Sequence, residues 1–466
     1  MAGKAVKVSL QSDAPTSDSS YAAPPRPWTL VAVCAAYFMV ILDTTVVNVA
    51  LPTLSRGLHT STTGLEWVVD AYSLVFAAVL LPAGALGDRR GAKGVFQVGV
   101  ALFALSSLAC GLAPSTEILI GARAVQGLGA ALAVPASLAL LQAAYSDQAA
   151  RRRAFGIWGG VAGIAAGAGP VLGGALVTGL GWRSVFFVNI PIGAAGLVLG
   201  ARHLPSTPSR PRGGDPSGQL TSITALGVLT IALIEAGSLG WRAPIVVAGL
   251  ASFVAAGAAF VVIESRAVSP LLPLGLFASA TFSAATTVGL LINLGFYGEL
   301  FVMSLYLQQL RHLGALLAGV ALLPQMAMAV IGSTASGRAT ARLGPRRPML
   351  VGLSAGTAGL AALAVTTGAH RPYWMLVAPL VAAGFGMSFT MPAATAAVME
   401  AAPDDRSGLA SGTLNAARQM GGVVGVALLG TLVAQRTDFT AGLHAGLAIA
   451  AGAFGLAALL TFVAVE

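Results

Sequence analysis

Apolar stretches of about twenty residues recur along this chain from Trp28 almost to the C-terminus, separated by short polar breaks. A helix of that length crosses a hydrocarbon core of ~30 Å. Reading the runs against their breakers predicts fourteen spans: 28–52, 66–86, 95–113, 117–142, 154–178, 184–201, 220–238, 244–263, 280–309, 317–336, 349–367, 373–398, 408–434 and 442–465. Glu235 interrupts the seventh. Residues 1–27 are polar and rich in Ser and Pro, with no apolar core or cleavage site. They are expected to form a disordered tail, not a signal peptide.

Composition strengthens the membrane reading. Of 466 residues, 56% are hydrophobic and 9% charged, against about 25% charged in a soluble domain. So few charges do not cover a water-facing surface of this size. The 58 glycines suit helices that approach backbone to backbone in lipid. Cys34 and Cys110 both fall in apolar runs, so no structural disulfide is expected. The five histidines sit in or beside predicted loops, and no HExxH pair or GxxxxGK[ST] phosphate loop occurs. No cofactor, no metal and no enzymatic activity are therefore expected.

The net charge of +9 takes its meaning from its distribution. With the N-terminus inside, the inner segments carry 18 Lys and Arg and the outer segments 6, while Arg123 and Arg418 lie within spans. That asymmetry orients both termini to the cytoplasm and accounts for the basic balance without a nucleic-acid partner.

An internal repeat is also visible. GALGDRRGAK (84–93) realigns on GRATARLGPR (337–346) at a shift of 253, with Gly84 on Gly337, Arg89 on Arg342, Gly91 on Gly344 and Lys93 on Arg346. Asp88 meets Ala341, so the acid is lost from the second copy. Gly173 and Gly174 realign on Gly421 and Gly422 at a shift of 248. Two near-equal shifts imply two homologous six-helix halves, with the seventh and eighth spans inserted between them. The expected organisation is a tail at 1–27, a first bundle at 28–201, a linker with two inserted helices at 202–279 and a second bundle at 280–466. Such repeats, with a site at their interface, characterise secondary transporters.

The motifs LDTTVVNVALP (42–52), GALGDRRGAK (84–93), RAVQGLGAA (123–131), GPVLGG (169–174), WRSVFFVNIPIG (182–193) and GLASGTLNAARQMGG (408–422) together resemble the signatures of the major facilitator superfamily. In order and spacing they are similar to its fourteen-helix drug:proton antiporters. VVDAY (68–72) and GAKGVF (91–96) resemble actinomycete antibiotic exporters of the methylenomycin-resistance type. The resemblance implies an all-α membrane protein with the major facilitator fold. It implies a monomeric, proton-coupled efflux antiporter of a bacterial cell membrane, driven by the proton motive force. Its partners would be protons, lipids and a small hydrophobic or amphiphilic compound such as an antibiotic. It also implies that GPVLGG marks an exporter and that Asp88 forms a cytoplasmic ionic latch. A metabolite importer and a non-transporting receptor on the same fold are the alternatives.

Buried charges carry the candidate chemistry, because a charge at the bilayer centre costs ~3 kcal/mol or more. Asp43, Asp70, Glu235 and Glu299 fall within spans, while Glu264 and Glu400 are expected at interfaces. At 1.5 Å per residue, Asp43 lies ~13 Å below the outer face, near the midplane. Asp70 is expected one turn deep and Arg123 two turns deep, so Arg123 is in reach of either aspartate. Desolvation disfavours a carboxylate and a guanidinium favours it, so this pair can load and unload a proton, or else lock helices together. Glu299 is a second proton site or a contact for cationic substrates. Gln126, one turn after Arg123, is a polar partner for it, and Asn48 is expected to bond another helix. Glu235 is expected in a helix–helix hydrogen bond away from the cavity. Phe296, Tyr297, Met303 and Arg418 are candidate cavity residues. Gly84, Asp88, Arg89, Gly91, Lys93, Gly169, Pro170, Gly173 and Gly174 are candidates for the conformational switch, with Pro170 loosening the fifth span.

Overall fold

The computed structural model describes residues 27–145, 147–207, 215–267, 270, 272, 274–403, 407–435 and 438–465. The expected tail lies outside this set apart from Pro27, as do Arg210, Arg212, Arg406 and Arg436. All regular structure among the described residues is helical. In chain order the helices are α1 Pro27–Leu58, α2 Thr62–Arg90, α3 Ala92–Leu112, α4 Thr116–Ala144, α5 Gln148–Leu180, α6 Ser184–Phe187, α7 Asn189–His203, α8 Pro216–Leu239 and α9 Pro244–Arg266. They continue with α10 Ala280–Leu305, α11 Ala315–Ala321, α12 Leu323–Leu343, α13 Arg346–Thr366, α14 Trp374–Ala401, α15 Ser407–Gln435 and α16 Phe439–Ala464. Among the described residues, thirteen spans are long and apolar enough to cross a bilayer, α6 and α7 forming one of them; the pair α11–α12, bent by 40°, makes a fourteenth when taken as one span.

Several helix ends lie beyond expectation, and two of them bear on the site. α1 does not stop at Pro52 but runs on to Leu58. Proline removes the N–H that the Asn48 carbonyl would accept; the Ser304 hydroxyl of α10 donates to that carbonyl instead, at 2.5 Å. The Asn48 side chain turns back to the Thr44 carbonyl at 3.0 Å, so this residue reaches another helix through its backbone and not its amide. α2 starts at Thr62, four residues before the predicted start, because Ser61 caps it and accepts from the Gly64 N–H at 3.3 Å. Asp70 is therefore about two turns into its helix, not one. Glu264 lies two residues from the end of α9, buried against the protein, where it accepts the Leu272 backbone N–H at 3.1 Å.

Glycine contacts set the helix spacing. A Cβ on Gly129 of α4 would stand 2.6 Å from the Phe103 nitrogen of α3, which leaves no room for a side chain. The hydrophobic core is divided unequally. Ala32–Val40 of α1 pack with α2 to α5 of the first half alone. Val46–Leu54 of α1 belong to a cluster that continues into α10 and on to α16. The two halves are thus fused at the end of the bundle where α1 finishes, here the Leu58 end. At the opposite end, where α2 finishes at Arg90, Gly156, Gly159 and Gly160 of α5 have open space around them. The inserted helix α8 packs on α2 and α15, while α9 is largely unburied within the protein.

Candidate functional site

Asp43 stands at mid-length in α1, fully buried. Arg123 of α4, also buried, donates from Nη1 to Asp43 Oδ2 in an ion pair. The same guanidinium donates through Nε to the Val68 carbonyl of α2 at 3.0 Å and through Nη1 to Gln126 Oε1 at 2.7 Å. Its plane lies over the Tyr72 ring, 4.3 Å from the centroid. The Gln126 amide then donates to Asp43 Oδ1 at 2.9 Å and to the Ser107 hydroxyl of α3 at 2.7 Å. Asn189, the first residue of α7, donates to Asp43 Oδ1 at 2.9 Å.

The α1 carboxylate thus accepts charge-assisted hydrogen bonds, roughly twice as strong as neutral ones, from α4 and α7, while α2 and α3 join the network through Val68 and Ser107. Ser107 and Asn189 escaped sequence reading. Asn189 sits within WRSVFFVNIPIG, and the break at Val188 between α6 and α7 aims it inward. A lone amide in an otherwise apolar stretch was the available signal. Asn189→Leu removes one donor from a buried carboxylate and is expected to destabilise the detergent-solubilised protein by about 1.5–3 kcal/mol. Thermal unfolding in micelles checks this; an unshifted midpoint would show that the bond contributes nothing.

The other candidates separate. Asp70 is fully buried and its carboxylate has no hydrogen-bond partner among the described residues, so Arg123 takes Asp43 in this conformation and not Asp70. Glu299 of α10 accepts from the Gln325 amide of α12 at 2.6 Å, within the second half. Met303 is buried in the core cluster. Phe296 and Tyr297 are partly buried and meet edge to face at 5.5 Å. Arg418 donates to Asn415 Oδ1 at 3.2 Å, while its buried Nε has no acceptor. Arg418 and Tyr297 are also the electrostatic neighbours of Tyr37, whose ring stacks on Trp158 with centroids 3.7 Å apart. Glu235 accepts from the Trp67 indole at 3.5 Å, a helix–helix bond as expected.

In GALGDRRGAK, Gly84 faces Pro135 of α4, and Gly91 holds φ +89 between α2 and α3. That left-handed backbone suits glycine. The next N–H, of Ala92, donates to the Thr207 hydroxyl at 2.6 Å, and Lys93 donates to the Ala201 carbonyl at 3.2 Å. Arg89 is exposed and has an interaction partner. The Asp88 side chain, the expected latch, lies outside the described set.

In GPVLGG, Gly169 faces Thr45, and a Cβ on Gly173 would stand 2.8 Å from the Val46 side chain of α1. A Cβ on Gly174 would stand 2.7 Å from the Ala315 carbonyl of α11, and the Pro170 carbonyl lies against Gly319. α5 runs unbroken through Pro170.

Comparison with known proteins agrees with this architecture. The Major Facilitator Superfamily profile matches residues 33–426. A methylenomycin A resistance protein of Bacillus subtilis is 38% identical over 433 residues, covering 93% of this chain and 93% of the relative. A tetracenomycin C resistance and export protein of Streptomyces glaucescens is 38% identical and covers 88% of this chain and 77% of that protein. Among solved structures, a bacterial homologue of the human lysosomal transporter Spinster, inward-facing and occupied, superposes with a TM-score of 0.67. That pair covers 95% of this chain and 97% of the other at 17% identity, a likeness of fold alone. The chain is a multi-pass membrane protein that belongs to the Major Facilitator Superfamily.

Proposed function

We propose that this protein is a proton-driven efflux antiporter that carries small hydrophobic or amphiphilic compounds, antibiotics among them, out of a bacterial cell. The observation that carries the reading is the buried Asp43–Arg123 pair at mid-length in α1, wired to α2, α3 and α7. Relatives named for antibiotic resistance and export support the direction of transport. The transporting unit comprises two bundles, 28–201 and 280–466, with 202–279 carrying the insert. The Arg90 end faces the cytoplasm, since inner segments hold 18 basic residues against 6 outside.

In that orientation the present conformation is closed outside, where the core is continuous, and open toward the cytoplasm. Substrate enters between the halves beside Tyr37, Trp158, Phe296, Tyr297 and Arg418. Asp43 carries the proton. While ionised it binds Arg123; once protonated it releases the guanidinium, and the halves rock about the GPVLGG contact. Asp70 and Glu299 are the further carboxylates available for coupling. Gly84, Asp88, Arg89, Gly91 and Lys93 shape the cytoplasmic closure. One proton moving down 100 mV supplies ~2.3 kcal/mol, enough for a roughly fifty-fold substrate gradient.

Everted membrane vesicles test the proposal after a drug-susceptibility panel has found a substrate. Uptake into everted vesicles should follow an imposed pH gradient and collapse with a protonophore. Uptake indifferent to the protonophore, or confined to right-side-out vesicles, would overturn it.

A further inference from the structure

Proline frees one carbonyl in α1, and a side chain of the opposite half meets it. α1 and α10 hold equivalent places in the repeat. They begin at Pro27 and Ala280, and the left-handed residues His59 (φ 52) and His312 (φ 55) follow them. Each pair is separated by the same shift of 253 as the loop motif. At that shift Pro52 falls on Leu305 and Ser304 on Leu51. The proline therefore belongs to one half only, and the hydroxyl that meets its freed carbonyl belongs to the other.

The Asn48 carbonyl, which lacks the N–H that a residue other than proline would supply at position 52, accepts from the Ser304 hydroxyl at 2.5 Å. The Gln308 amide donates to the next carbonyl, of Val49, at 3.0 Å and to the Ser304 hydroxyl at 3.3 Å. Gln308 lies in a π turn, Tyr306–Leu310, that continues α10; such turns recur at functional sites. Val46, Val49 and Leu51 of α1 and Leu300, Phe301 and Leu305 of α10 are buried in one apolar cluster around these bonds. On the other side of this end, α2 meets α15. A Cβ on Gly430 would stand 2.6 Å from Cδ of the fully buried Glu66. The Glu66 carboxylate has no hydrogen-bond partner among the described residues, so that contact is packing without direction.

We infer that Ser304 and Gln308 are positioning residues for the outer gate: they hold the α1 backbone at its Pro52 break while the Leu58 end is closed and release it to water when that end opens. The inference rests on the antiport reading above and adds to it a link between Asp43 and the opposite half. A buried carbonyl without a donor is costly, so Pro52 makes the closed state depend on Ser304. With the end open, water reaches the Asn48 carbonyl. The Ser304 hydroxyl then turns to the Leu300 carbonyl one turn back, a common bond for a helical serine. Both states are satisfied and neither is a trap. Asp43 lies five residues before Asn48 on the same helix, ~8 Å away. A shift of α1 that follows protonation of Asp43 therefore acts directly on these bonds.

The test uses substrate-free full-length protein in nanodiscs, with spin labels at Arg56 and Gln309 across the Leu58 end, after replacing Cys34 and Cys110. The labelled parent is the reference for every variant. Ser304→Ala should lower the closed-to-open ratio about tenfold or more, because the freed carbonyl is left without a donor. Gln308→Leu should lower it about threefold, since the Val49 carbonyl keeps its place in the helical ladder. Pro52→Ala supplies the missing N–H within α1, and in that background Ser304→Ala should change the ratio by less than about twofold. Lost packing at position 304 would act equally in both backgrounds, so equal shifts would overturn the inference. So would an unchanged ratio in Ser304→Ala with Pro52 intact. Should Ser304→Ala alone fail to fold, the variant carrying both Pro52→Ala and Ser304→Ala should fold and close; if it does neither, the inference also falls. No substrate and no gradient enter the measurement, so its failure is distinct from failure of the efflux reading, which protonophore-sensitive uptake decides.

Discussion

Asp43→Asn should abolish efflux driven by a pH gradient, at least about a hundred-fold in rate, while leaving the protein folded. The amide keeps the shape and its one oxygen can still accept, either from Arg123 or from the Gln126 and Asn189 amides, while its NH2 group cannot accept on the other side. What it loses is the capacity to exchange a proton. Arg123→Ala is a harsher change. It leaves a buried carboxylate with no cation, and breaking such a pair costs about 3–5 kcal/mol. Its yield should fall along with its activity. The double variant Asp43→Asn with Arg123→Gln removes both charges and should recover folding without recovering transport. Everted vesicles with an imposed gradient report the coupled flux, and substrate exchange without a gradient reports binding and rocking. Asp43→Asn should lose the first and keep part of the second. Native gradient-driven uptake in Asp43→Asn would remove Asp43 from the coupling mechanism.

Gly174→Val should be nearly as damaging, by another route. At this position α5 and α11 touch backbone to backbone, and a Cβ would stand 2.7 Å from both the Ala315 carbonyl and Leu316 Cα. No flexible side chain is there to yield, so the valine must push the halves apart. The Leu58 end should no longer close, and transport should fall about a hundred-fold, the loss expected when a few kcal/mol disfavour an obligatory state. Labels at Arg56 and Gln309 should report a longer separation. Gly163→Ala lower on α5 is the control: its Cβ would lie 3.9 Å from the Ala329 carbonyl, an ordinary contact. If Gly174→Val transports normally, the contact between α5 and α11 is not needed for the cycle.

The two experiments bear on different parts of the machine. The first removes a titratable group and leaves packing intact. The second alters packing and leaves every charge in place. Together they separate the chemical gate from the mechanical one, since a defect in coupling and a defect in closure give different patterns in exchange and distance measurements.

Much of this was legible in the sequence, for local reasons. Length and hydropathy are local properties, so fourteen spans were countable from apolar runs. The charge of Asp43 and Arg123 was conspicuous because either side chain is costly in lipid, and their depths placed them in reach of each other. The repeat marked Gly84 and Gly173 before any helix was seen. Local reasoning failed where a tertiary partner changed the outcome. Pro52 looked like a stop, but Ser304, 256 residues from Asn48, accommodates the Asn48 carbonyl that proline leaves free. Glu66 went unremarked because α2 starts earlier than its apolar run does.

By itself, then, the sequence determined the solvent, the number and order of helices, and which charges had to be explained. These depend on transfer free energy summed along a continuous stretch of chain. Only the tertiary structure decided which partner each charge took: Arg123 binds Asp43 and leaves Asp70 alone, Glu299 takes Gln325, and Glu235 takes the Trp67 indole. It also decided which end of the bundle is shut. Such choices rest on contacts of a few ångströms between segments far apart in the chain, and helical periodicity carries no record of how one helix is set against another.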